Sequence, residues 1–232
     1  MIDELVRLAP DLEIDHVNFN GDTPIITAVK EGSLDAVVKL IEHEANYKVV
    51  DEDGRTLGHI SLMNSQEAVA EYLIDHDLIS PLAKDKEGVT VFHLAAENGS
   101  QSLLEKLLGK VKSDLPEILK NNQLLDKLNR SPLHVSILSK NFNISKRFLE
   151  AGFNPNAEMK YVAKVKNAQK FDSSVAESVL AHKNLLKAAK TPIHLSIALQ
   201  SIPLFKLLLK FGADISKKVF WGFYLSSPRS FD

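Results

Sequence analysis

The sequence predicts an all-α solenoid of about five helix-turn-helix repeats joined by short turns, and three observations carry that prediction. The phrase Ser131-Pro132-Leu133-His134-Val135-Ser136-Ile137 returns as Thr191-Pro192-Ile193-His194-Leu195-Ser196-Ile197 and as Thr90-Val91-Phe92-His93-Leu94-Ala95-Ala96, with weaker copies from Thr23 and Thr56. Four of the five copies follow a turn with Gly or Asn at its third or fourth place: Asn18-Phe19-Asn20-Gly21, Asp51-Glu52-Asp53-Gly54, Asp85-Lys86-Glu87-Gly88 and Asp126-Lys127-Leu128-Asn129. The turns beginning at residues 18, 51 and 85 lie 33 and 34 residues apart, while counting back from Thr191 puts the last turn at residue 186, 60 after Asp126.

The phrase has a physical logic. A Thr or Ser hydroxyl satisfies an early backbone donor, and Pro suits the first helical turn because its missing N–H has no partner there. The following His can bond a neighbouring turn through one ring nitrogen. Small residues (Ala28, Ser61, Ala95, Ser136, Ser196) let two helices approach, and Gly32, Gly99, Gly152 and Gly212 fall where a helix stops and φ turns positive. Phrase, turn and period together resemble the ankyrin repeat over most of the chain. The resemblance implies a binding module with no chemistry of its own.

In chain order, residues 1–17 form an N-terminal half-repeat cap, with Asp3-Glu4-Leu5-Val6-Arg7-Leu8 as a second helix and a polar outer face. Repeats follow over 18–50, 51–84, 85–125, 126–157 and 191–218. The first carries Ile26 where His is usual, so it loses that bond. In the second, Leu57-Gly58 replaces Pro-Leu, which predicts a first helix that starts less firmly. Asp114-Leu115-Pro116-Glu117 in the third predicts a short added helix over 115–120. Residues 158–190 read as a basic helical insert, with helices over 158–170 and 173–189 and seven lysines against three acidic residues. The remainder, 219–232, is an aromatic tail or the start of a further repeat.

Composition excludes several classes. The net charge of −2 and pI near 6.5 give no reason to expect a nucleic-acid partner. The absence of cysteine removes disulfides, thiolate metal sites and cysteine nucleophiles. No apolar run reaches bilayer-spanning length, and the opening residues lack the order of a secretory signal. A monomer in the cytoplasm, without cofactor or metal, is the expectation. His59, His93, His134 and His194 recur once per repeat and read as structural, each serving its own turn. His16, His43, His76 and His182 share no metal-ligand spacing, and no phosphate loop or metalloprotease motif is present.

The resemblance to ankyrin repeats implies partner binding through the turn tips and the exposed face of the first helices. Carried onto matching positions, those residues are Phe19, Asn20, Asp22, Lys30 and Glu31, then Glu52, Asp53, Arg55, Met63 and Asn64. They continue with Lys86, Glu87, Val89, Glu97 and Asn98, and end with Lys127, Leu128, Arg130, Leu138 and Ser139. Phe19, Met63, Val89, Leu128 and Leu138 are the candidate apolar anchors, and the acidic residues at 51–53 and 85–87 suggest a rim for a basic partner. The expected partner is another protein. Irregular, cysteine-free repeats with a helical insert are similar in style to ankyrin effectors that intracellular bacteria deliver into host cells, which implies the host cytosol. The alternatives are a docking arm of a larger multidomain enzyme, and binding of acidic lipid or nucleic acid through the basic insert.

Overall fold

The computed structural model describes residues 2–4, 13–160 and 190–216. The predicted insert helices, His182, most of the cap helix and the aromatic tail lie outside these. Residues 2–4 are helical. The first repeat pairs α1 (Pro24–Glu31) with α2 (Leu34–Glu42), and the second α3 (Leu57–Met63) with α4 (Glu67–Asp75). The third pairs α5 (Val91–Asn98) with α6 (Gln101–Lys110) and adds α7 (Leu115–Lys120). The fourth pairs α8 (Pro132–Leu138) with α9 (Phe142–Glu150), and the fifth α10 (Pro192–Ala198) with α11 (Ile202–Lys210). First helices pack on first helices of the next repeat and second helices on second, and this continues from α8 to α10 across the long gap in sequence. The added helix α7 forms where the Asp-Leu-Pro-Glu signal places it.

No repeat closes a core alone. In the second repeat Leu57, Ile60, Val69 and Leu73 are buried with the first repeat, while Leu62, Ala70 and Ile74 are buried with the third. That sharing is the nearest-neighbour logic of a solenoid. At the N-terminal end, Asp3 hydrogen-bonds His43 at 2.8 Å and pairs with Lys39 at 3.6 Å, tying the opening helical turn to α2.

The phrase histidines form the lateral links. In His59 and His93, Nε2 lies 3.0 Å from the carbonyls of Val89 and Arg130 in the following repeat, whereas in His134 it lies 3.1 Å from the carbonyl of Ala157, at the end of its own repeat. A carbonyl only accepts, so Nε2 carries the proton. Nδ1 then accepts from the helix-capping residue, receiving the backbone N–H of Thr56, Thr90 and Ser131 at 3.3, 3.1 and 3.1 Å. Each ring is therefore neutral, and a second proton at Nδ1 would face a donor. Burial pushes all three below the ordinary imidazole range, His93 and His134 to about 4. His194 bonds its own cap, Thr191 Oγ1, at 2.7 Å.

α3 begins more firmly than its Leu57-Gly58 start suggested. Thr56 and His59 form the same reciprocal cap as in the third and fourth repeats. Gly58 has a packing role instead: an added Cβ would meet Ile79 Cδ1 at 2.3 Å and Val91 Cγ1 at 3.1 Å.

The periodicity argument also misplaces the fifth turn. Asp51, Asp85 and Asp126 each donate their N–H to the carbonyl four residues on, that of Arg55, Val89 or Arg130. Met159 donates in the same way to Lys190. Successive turns are joined by Lys86 N–H to Asp53, Lys127 N–H to Glu87 and Lys160 N–H to Leu128, at 2.8, 2.9 and 2.7 Å. Met159 thus opens the fifth turn, 33 residues after Asp126 and on schedule, and the extra chain enters after that turn's second residue. Counting back from Thr191 missed this because the insertion splits the turn. Glu158, Met159 (4% exposed), Lys160 and Lys190 accordingly belong to the array.

Between paired helices the backbone takes the left-handed conformation in every repeat, at Gly32, Ser65, Gly99, Lys140 and Gln200. The residue facing it from the next repeat varies with it. Gln66 reaches over Gly32 to the Lys30 carbonyl at 3.3 Å, and Asn141 over Gly99 to the Ala96 carbonyl at 2.9 Å. A Cβ at Gly32 would lie 2.0 Å from Gln66 Oε1.

Two expectations follow. In urea unfolding, Gly32→Ala lowers stability by about 1–2 kcal/mol from the left-handed backbone alone, whereas Ser65→Gly leaves it unchanged or raises it; equal effects would contradict the packing. For pH, a histidine whose folded value lies below its unfolded value stabilises fully above about 6.5, and that stability is lost as pH falls towards 4. His134→Gln is expected to be less stable at pH 8, but with a stability slope between pH 6.5 and 4 shallower by about 1.4 kcal/mol per unit. Parallel wild-type and variant curves would refute the neutral buried ring.

Candidate functional site

The turns that close the repeats also carry many of the candidate binding residues. The first four open on a side chain that folds back on its own backbone. Asn18, Asp51, Asp85 and Asp126 accept through Oδ1 from the N–H groups two and four residues on, at 2.8–3.1 Å. These bonds tighten the tip and thrust the second and third turn residues outward. The first helices then rise from the turns with their apolar faces buried, so only the ends of the helices and the tips remain in reach of another molecule.

Asn20, Glu31, Glu52, Asp53, Asn64, Lys86, Glu87, Glu97, Asn98 and Lys127 stand exposed along this face. Lys30, Arg55, Met63, Val89, Leu128, Arg130, Leu138 and Ser139 are half-buried. Asp22 is buried and binds the Lys30 ammonium at 2.6 Å, so that pair holds the first repeat together. Arg130 pairs with Asp126 at 2.6 Å and Arg55 with Asp53 at 2.8 Å. Asn64 and Asn98 donate to the carbonyls of Ile60 and Leu62 at 2.8 Å.

The apolar anchors separate sharply. Met63, Val89 and Leu138 pack against the core, and Leu128 is half-buried. Phe19 is wholly exposed, and Val17 and Val50, at equivalent positions just before the first two turns, are about half exposed at 51% and 54%. Sequence reading missed both valines. Their signal was an apolar residue one place before a turn that elsewhere carries Lys84, Leu125 or Glu158.

The acidic rim is also weaker than composition suggested. Asp51 and Asp85 spend a carboxylate oxygen on backbone amides, Asp53 faces Arg55, and Glu87 lies 3.6 Å from Lys127. Reading charge from the sequence could not show that these carboxylates serve their own turns.

The phrase histidines stand one per repeat, each bonded to its own cap. Among the described residues, no group of three or more His, Asp or Glu is placed to hold a metal ion, and no helix is long and apolar enough to cross a membrane. Two buried polar atoms on the face, Arg55 Nε and Ser139 Oγ, lack a hydrogen-bond partner.

Comparison with known proteins agrees with this geometry. A family profile described as three copies of ankyrin repeats matches residues 1–85. Mouse Rabankyrin-5 is 23% identical over 198 residues, covering 85% of this chain and 14% of its own length. The ankyrin repeat protein nuc-2 of Neurospora crassa is 28% identical over 159 residues, 67% of this chain and 14% of that protein. A Caenorhabditis elegans homologue of the transient receptor potential cation channel subfamily A member 1 is 28% identical over 95 residues, 41% of this chain and 8% of that protein. The chain thus spans about one seventh of the length of the first two relatives. With the recurring phrase, the paired helices and the left-handed helix ends, these matches support an ankyrin-repeat family, whose repeats are general protein–protein interaction modules.

Proposed function

We propose that this chain binds a partner protein on the face made by its turn tips and the exposed ends of its first helices, and that Phe19 is the principal anchor. The exposure of Phe19 carries the reading. A lone turn phenylalanine gains nothing for the fold; Val17 and Val50, each next to one of the first two turns, are exposed as well, and we read the three as an apolar patch at one end of the face. Such patches mark interaction sites, and binding energy concentrates on buried aromatic residues. Exposed polar groups along the same face, such as Glu31, Asn64, Glu97 and Asn98, form the rim around it.

The segment acts by holding its partner. Its small share of the relatives' length supports a second reading, in which it is the docking arm of a larger protein whose chemistry lies elsewhere. Both readings use the same face. Delivery into a host cell as a bacterial effector rests on the irregular repeats and the absence of cysteine alone.

Phe19→Asp should abolish partner capture, read by cross-linking and mass spectrometry from an extract of the source cells. Lys146→Asp, an exposed change on the second-helix side, should leave capture intact. Capture that survives Phe19→Asp and disappears with Lys146→Asp would move the site to the opposite face.

A further inference from the structure

We propose that the turn edge of the third to fifth repeats is a docking edge for an acidic segment of a partner protein, continuous with the apolar end at Phe19. This deepens the reading of the turn face as the binding surface and rests on it. The inter-turn hydrogen bonds set the register. Lys86, Lys127 and Lys160 are each the second residue of their turn, and each donates its backbone N–H to the turn before. The three residues therefore hold equivalent backbone positions in neighbouring turns, with the Lys86 ammonium on the Glu52 carbonyl and that of Lys127 3.6 Å from Glu87. The same column begins with Phe19 and Glu52, so the edge runs from apolar through acidic to basic along the array.

Further cations lie at the basic end. Lys190 is exposed and receives the Met159 N–H at its carbonyl, which puts it across the fifth turn from Lys160. Lys84 is exposed and donates to the Leu125 carbonyl at 2.8 Å. Lys84, Lys86, Lys127, Arg130, Lys160 and Lys190 outnumber the carboxylates of these turns, Asp85, Glu87, Asp126 and Glu158. Asp126 accepts two backbone amides on Oδ1 and Arg130 on Oδ2, and Asp85 accepts two amides. Glu87 stands 3.6 Å from Lys127, and Glu158 is exposed beside them. A surplus of cations held in register attracts an acidic chain, steers its approach and sets its orientation. Carboxylates over the lysines place the partner's apolar residues towards Phe19.

The test uses a fluorescein-labelled oligo-glutamate peptide as probe, read by fluorescence anisotropy at low and physiological salt on the whole chain. Oligothymidylate and phosphatidylserine vesicles are run beside it. Wild type is expected to bind oligo-glutamate at low salt and more weakly at physiological salt, as exposed charges are screened. The triple variant Lys86→Gln, Lys127→Gln and Lys160→Gln, with its helix content checked by circular dichroism, should bind about tenfold more weakly. The charge-matched triple Lys112→Gln, Lys120→Gln and Lys146→Gln should bind like wild type. Equal weakening in both triples means bulk charge and overturns the proposal, as does preference for oligothymidylate or vesicles over oligo-glutamate. If partner capture depends on Phe19 yet persists in the first triple, this inference falls while the turn-face reading stands. If capture ignores Phe19 but oligo-glutamate still requires the three lysines, that reading falls instead.

Discussion

The structure depends on a hydrogen-bonded link that no repeat can complete alone. A neutral imidazole fixed by its own helix cap bonds the backbone of the next repeat, while the next turn's N–H returns to the carbonyl of the turn before. Both links act at the turn end of the first helices and hold them in register with their neighbours. Buried side chains can then be shared across the boundary, as Leu57 and Leu62 are shared to opposite sides of the second repeat. A free-standing unit would leave an apolar flank in water and a carbonyl without its imidazole. Stability and register are therefore properties of pairs of repeats.

That arrangement explains how the array tolerates extra chain. An insertion inside a helix would displace the core, but the one in the fifth turn leaves the inter-turn bond from Lys160 N–H to Leu128 in place, while His134 bonds Ala157 of its own repeat instead of the fifth turn. The fifth turn is closed by Met159 and Lys190 as if only a few residues stood between them, and α10 packs on α8 in the ordinary way. At the fourth turn, which opens at Asp126, the extra residues lie upstream and form α7 beside the second helices, away from the tips. The turn face thus keeps its spacing from Phe19 to Lys160.

The all-α architecture, the five repeats, the added helix at 115–120 and the structural role of the phrase histidines were all legible in the sequence. Each depends on short-range signals: a cap, a proline, a left-handed stop and a period. What escaped depends on contacts between repeats. Gly58 reads as a weak helix start until Ile79 is seen against it, and Ser65 or Lys140 hides a left-handed position that Gly32 advertises. The fifth turn was misplaced because Met159 lacks the aspartate that marks the others. Of the candidate binding residues, Phe19 was legible as an exposed aromatic at a tip. Met63, Val89 and Leu138 were not separable from it, because the fraction of each side chain that neighbouring repeats cover is set by packing.

The most direct measurement is amide hydrogen exchange at Lys86, Lys127 and Lys160. All three side chains are exposed at turn tips, so slow exchange of their N–H groups can come only from the bonds to the preceding turn. The account predicts comparable protection at all three, Lys160 included. Exchange at Lys160 as fast as in an unstructured chain, with Lys127 still protected, would show that the repeat register breaks at Met159 and would contradict the claim that the fifth turn is built like the rest.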